Sequence, residues 1–345
     1  MQVNWHLGAE FETKGKAKET DGDQALSAGD VSTAWHAYTM AAEHYRLGDR
    51  PMNALRLFQV AYGLVEDSSV PWIVTALHHI GSLVALGRYE PARHVLESLN
   101  VLPIPSGLQS LHLDLSVGVY LGCGNLALAK DAVDRFQHLE DPRARLGEHF
   151  RKTELLHLEG NVDEALRSIA HTRSLLDSQA NADAGLAALC ALKSELFVLS
   201  DSLEEAEEAQ RQACVYLVNA ARLGPLLGAM TQWVWVRHLQ GLNNDWSWLN
   251  EAYEWCIERH LMSTAARVSS VRGLACDSEE KGRPFFVGGW ELADQHHLPR
   301  TASMCRYIYA LQYQDAVDRT SILQRAYTDA NISRPLRILI ERQMC

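Results

Sequence analysis

The sequence predicts an all-α fold, a solenoid of antiparallel helix pairs, and three observations predict it. A short turn phrase recurs at near-constant spacing over much of the chain. Between its copies, apolar residues follow helical periodicity, as in Ala54-Leu55-Leu57-Phe58-Ala61 and Ala165-Leu166-Ile169. Nowhere is the alternation of a half-buried strand sustained. Length agrees, because 345 residues exceed the usual single core and a chain of this size divides into domains or grows as an array.

From the start of the chain, residues 8–28 read as a lead-in helix, since Gly29-Asp30-Val31-Ser32-Thr33-Ala34 carries the turn phrase before a helix running towards Leu47. The phrase returns as Leu47-Gly48-Asp49-Arg50-Pro51-Met52-Asn53-Ala54, then as Leu86-Gly87-Arg88-Tyr89-Glu90-Pro91-Ala92. Further copies are Cys123-Gly124-Asn125-Leu126-Ala127-Leu128-Ala129 and Glu159-Gly160-Asn161-Val162-Asp163-Glu164-Ala165. A fifth, Ser200-Asp201-Ser202-Leu203-Glu204-Glu205-Ala206, puts Asp where the others have Gly. Gly, or Asp and Asn beside it, supplies the left-handed or turn conformation that closes a helix. The small Ala that follows lets the second helix approach the first closely. These anchor alanines, 54, 92, 129, 165 and 206, stand 38, 37, 36 and 41 residues apart, room for two helices and two turns.

Those residues resemble the tetratricopeptide (TPR) repeat, with Gly at the turn inside the repeat, Ala opening the second helix and a bulky residue four later. Tyr45-Arg46-Leu47-Gly48 through Phe58-Gln59-Val60-Ala61 is the nearest match, and Ala42 and Gly81 suit the small positions of the first helix. The spacing is longer than the family's 34 residues, which places the chain with its divergent, long-repeat members. The resemblance covers roughly residues 30–260 and implies a right-handed superhelix.

Beyond the copies, the tryptophans at 233, 235, 246, 248 and 255 surround Gly241-Leu242-Asn243-Asn244-Asp245, which reads as the turn of a helical hairpin. Residues 277–284 form the most polar break, followed by helices over 285–297, about 300–313 and 315–329, and a closing segment 333–343. The domain reading is therefore an N-terminal extension or lead-in helix over 1–30, TPR-like repeats over 31–260, and degenerate helix pairs with a cap over 261–345. Terminal repeats depart from the pattern because they close off the core.

A formal charge of −11 and the lack of a long basic run argue against general binding to phosphate backbones, so no nucleic-acid partner is expected. The first residues lack the basic-then-apolar layout of a signal peptide, and no apolar run reaches the length of a membrane span, so a cytoplasmic protein with no membrane partner is expected. The seven cysteines contain no CxxC and fall mostly in apolar helical runs. His78-His79 and His296-His297 point about 100° apart on a helix and do not readily share a metal. There is no HExxH, GxSxG, P-loop or strand-borne GxGxxG. No metal, no cofactor and no catalytic residue is expected, and the chain reads as a non-enzyme.

What remains is a binding surface. The resemblance implies that the first helix of each repeat lines a concave groove. Projected onto this sequence, it places Trp35, Tyr38, Tyr45 and Arg46 there from the first unit, Arg151, Glu154 and His157 from the fourth, and Trp235 and His238 from the sixth. Aromatic residues and Arg are the types that anchor interfaces. The expected function is a scaffold or adaptor that captures a protein or peptide segment. The alternative is a regulatory TPR-type receptor for a short signalling peptide or small ligand. Self-association through a terminal repeat is a further expectation.

Overall fold

The computed structural model describes residues 3–140, 142–177, 179, 182–330 and 333–344. Among these residues the chain forms eighteen α-helices, one short 3-10 turn at Phe136–His138 and no strand. A first compact unit, Asn4–Arg151, contains α1 (Ala9–Ser27), α2 (Val31–Leu47), α3 (Pro51–Tyr62), α4 (Val70–Ala85), α5 (Tyr89–Asn100), α6 (Ser106–Gly122) and α7 (Leu126–Arg135). The boundary falls within α8 (Pro142–Leu158). From Lys152 onward the second unit contains α9 (Val162–Leu176), α10 (Asp183–Leu199), α11 (Leu203–Asn219), α12 (Leu223–Leu239) and α13 (Leu249–Glu258). It continues with α14 (Met262–Leu274), α15 (Glu279–Gln295), α16 (Pro299–Gln312), α17 (Arg319–Asp329) and α18 (Arg334–Met344).

One device ends most of these helices. The residue at the end turns left-handed, and the next backbone N–H reaches back five residues to a carbonyl, which satisfies a helix-end acceptor. Examples are Arg50 to Tyr45 and Asn125 to Tyr120, both 2.8 Å, and Arg88 to Leu83, 2.9 Å. Glycine occupies the left-handed position at 29, 87, 124, 160 and 241. In the first copy it is Asp49, not Gly48, and in the fifth it is Asp201. Three further turns use Ala221, His260 and His297, which no Gly-containing phrase marks.

Helix pairs are the unit of packing. Most neighbours pack in sequence, and helices two apart also touch: α2 on α4 and α4 on α6 in the first unit, α12 on α14 and α14 on α16 in the second, where α10 also meets α18. The anchor alanines 54, 92, 129, 165 and 206 are all fully buried at 0% exposure, so the small residue of every copy lies in the packed interior.

The lead-in helix forms over Ala9–Ser27, but the polar break does not hold: α15 begins at Glu279 and carries Pro284 inside it. Charge pairing explains the early start. Glu279 and Glu280 favour the helix N-terminus, Lys281 lies 3.0 Å from Asp277, and Arg283 lies 3.1 Å from Glu279. Further along, α17 starts at Arg319, so 313–318 is a loop rather than the first turn of a helix. Gly289 is a close-packing position: a Cβ there would lie 2.8 Å from the Ala266 carbonyl oxygen. Among the described residues no helix is long and apolar enough to cross a membrane.

Candidate functional site

The residues projected onto a groove are divided between the two units. Trp35, Tyr38, Tyr45, Arg46 and Arg151 belong to the first unit; Glu154, His157, Trp235 and His238 belong to the second. Within the first unit, Tyr38 and Tyr45 are only 4% and 2% exposed, because α1 lies across them. Their hydroxyls donate to Asp23 at 2.7 Å and Glu19 at 2.8 Å. Burial, followed by those carboxylates, pushes both phenols up to about 12. These rings fasten α1 to α2 and offer no open face.

Trp35 donates its Nε1–H to Thr75 Oγ1 at 2.9 Å. Arg46 pairs with Glu43 at 2.8 Å, and the same carboxylate meets His78 Nδ1 at 2.7 Å. Burial alone would raise Glu43, but His78 and Arg46 outweigh it and hold the carboxyl down to about 2. Arg151 grips Asp114 on α6 through two hydrogen bonds of 2.7 and 3.0 Å. Each of these charged groups is engaged within the protein.

In the second unit, His157 is buried, with its Nε2 3.0 Å from the Glu195 carboxylate. Glu154 is half-buried on the same helix. Trp235 is buried edge-on to Tyr307, 6.5 Å between ring centroids. His238 meets Gln312 Oε1 at 2.8 Å and the Trp246 ring at 6.5 Å.

A cleft of about 270 Å³ opens beside them, between the other face of α12 and the turn leading to α13. Met230, Trp233, Val234 and Trp248 give it apolar walls; Arg237, Asn243, Asn244 and Asp245 give it a polar rim. Arg237 organises that rim. Its guanidinium donates to Glu207 at 2.6 Å, to Asn244 Oδ1 at 3.2 Å and to the Asn243 carbonyl at 2.9 Å, and it lies 5.9 Å from the Trp233 ring. Glu207 also accepts from Trp233 Nε1 at 3.3 Å. Asp245 accepts from the Ser247 backbone at 3.0 Å and hydroxyl at 2.6 Å, and those bonds hold its carboxyl below the ordinary range. Its own carbonyl accepts from Trp248 Nε1 at 3.0 Å. The loop is therefore tied to α12 through Asn243 and Asn244 and braced by its own hydrogen bonds from Asp245 to Trp248.

The sequence marked the tryptophans and the Gly241–Asp245 turn as a hairpin, but not Arg237 and not a cleft between them. The readable signal was two tryptophans spaced around that turn. The partner that fixes Arg237, Glu207, comes from α11 and carries no local cue. Among the described residues, no group of three or more His, Cys, Asp or Glu side chains is placed to hold a metal ion. No protein-family model matches the chain, and a search of curated proteins finds no relative.

Proposed function

We propose that this protein is a non-enzymatic scaffold, a TPR-like superhelical solenoid that captures a protein or peptide segment, with the α12–α13 cleft as its anchoring pocket. The solenoid reading is supported by the repeated turn, by the buried anchor alanines and by the contacts between helices two apart. The binding reading rests on one observation above all: an apolar cleft whose Arg237 rim is held in place by hydrogen bonds. Two indoles and a methionine suit an apolar side chain, and fixed polar groups around them suit a peptide backbone. Pre-organisation lowers the ordering cost of binding.

Peptide-display selection on the purified protein tests this. An enriched peptide should bind the parent and lose at least about tenfold in affinity to Trp233→Ala, a loss of about 1.4 kcal/mol. The variant must melt like the parent for the comparison to count. Selection that enriches nothing, or a peptide that binds the folded variant equally well, would remove the cleft from this role.

A further inference from the structure

Two charged side chains line the α12–α13 cleft, Arg237 and Asp245, and they differ in what meets their charge. Arg237 is committed. Each of its three nitrogens already donates: Nη1 to Glu207, Nε to Asn244 Oδ1 and Nη2 to the Asn243 carbonyl. Glu207 at 2.6 Å offsets its charge, and the same carboxylate holds the Trp233 indole N–H. Asp245 accepts only from Ser247, whose backbone N–H and hydroxyl both meet Oδ1. Those bonds hold its carboxyl below the ordinary range, so it is ionised at neutral pH. Among the described residues no Lys, Arg or His side chain pairs with Asp245, and Oδ2 accepts no hydrogen bond. With Glu207 set against Arg237, the remaining charge of the cleft is negative. It stands at the rim of apolar walls made by Trp233, Trp248, Met230 and Val234.

Resting on the reading of this cleft as an anchoring pocket, we infer that the side chain it takes is basic: a Lys or Arg of the captured segment, its stem on the indoles and its cationic head at Asp245. The stems of Lys and Arg bury against apolar surface while the head stays near water, which suits apolar walls beneath an exposed carboxylate. Indole faces attract cations more strongly than other aromatic side chains do. This chain already uses that contact, with Arg237 5.9 Å from the Trp233 ring and Arg259 4.4 Å from the Trp255 ring. Asp245 Oδ2 adds a charge-assisted acceptor. A captured carboxylate would instead meet a like charge at Asp245 and an Arg237 fork already in use. A wholly apolar side chain would fill the walls and leave that carboxylate idle. The net charge of −11 also draws a basic segment towards the protein.

The test is an NMR titration of the full-length protein that follows the Trp233 and Trp248 indole N–H signals. The probes are acetyl-Ala-Lys-Ala-amide, its Arg counterpart and its norleucine counterpart, which keeps an unbranched stem without the charge. The parent should bind the Lys or Arg probe at least about fivefold more tightly than the norleucine probe. Asp245→Asn keeps an oxygen for Ser247 and removes only the charge, so it should erase that preference and leave norleucine binding unchanged. Raising the salt from about 0.05 to about 0.5 M should weaken the basic probes alone, a check that needs no variant. Trp233→Ala should weaken all three. Equal binding of norleucine and the basic probes, or an unchanged preference in a folded Asp245→Asn, would overturn this inference and leave the anchoring cleft standing. No shift of either indole signal with any probe would remove both. An n-butylammonium ion that binds as tightly as the Lys probe would overturn the peptide source and make a small free amine the occupant.

Discussion

The ring of Tyr38 covers Gly22 so closely that a Cβ on that glycine would lie 2.8 Å from Cδ1 and Cε1 of the ring. One turn pair earlier, Tyr45 covers Gly15 in the same way at 3.2 Å. Two glycines seven residues apart thus form a smooth track on α1 for two tyrosines seven apart on α2. Gly22→Ala sets helix propensity, worth about 1 kcal/mol in favour, against overpacking, worth about 1–3 kcal/mol against. The clash should prevail, and the variant should melt below the parent. Gly15→Ala, with the wider gap, should cost less. Thermal melts by circular dichroism decide both, and a stabilised Gly22→Ala would show that the track is not close-packed.

The second prediction concerns the seam. Ala129 has no exposed surface, so Ala129→Glu would bury a carboxylate without a partner. A loss of several kcal/mol, or failure to fold, is expected. A variant that melts like its parent would place Ala129 outside the packed region.

Ala221 is left-handed at φ 53° without being glycine. That conformation costs a residue with a Cβ about 1–2 kcal/mol, while the greater freedom of glycine in the unfolded chain costs about 0.4–1 kcal/mol. Ala221→Gly should therefore stabilise the protein slightly, which a urea midpoint would register. A lowered midpoint would refute it.

These three positions also mark how far the fold could be read from sequence. The anchor alanines were legible because close helix approach needs a small residue at a fixed place in the phrase. The turns at Ala221, His260 and His297 were not, because there the backward hydrogen bond and the packing around it impose the conformation on ordinary residues. Tyr38 and Tyr45 were placed on a groove because aromatic residues at helical spacing suit either a surface or a core. What decides between them is α1, whose Gly15 and Gly22 were visible but look like poor helix formers until seen beneath the rings. Of the candidate site, the tryptophans were legible and the Arg237–Glu207 pairing was not, since the two residues belong to different helices.

His112 gives a pH prediction. It is buried, with Nε2 3.0 Å from Asn100 Oδ1, and burial first, then Arg135, pulls it down to about 4. The unfolded chain takes up this proton near pH 6.5 and the folded one only near pH 4. Its contribution is thus fully present above pH 6.5 and is lost as pH falls towards 4, a difference of about 3 kcal/mol. An NMR titration should show the His112 ring neutral at pH 5.5, and His112→Gln should flatten this part of the acid limb. A ring that titrates at its ordinary value would contradict the burial.

The backward-bonded turns have a consequence for synthesis. Each closes within six residues, and in the first unit α1 to α6 each pack on the helix that follows, so little of that unit depends on sequence still to be translated; α10 is the exception in the second unit, since it also packs on α18. On the ribosome, α1 has to wait only for α2 to emerge before its glycine track is covered. Successive pairs of the first unit can then dock as they leave the exit tunnel, and the face of α10 that meets α18 is the surface left waiting until the last helix is made.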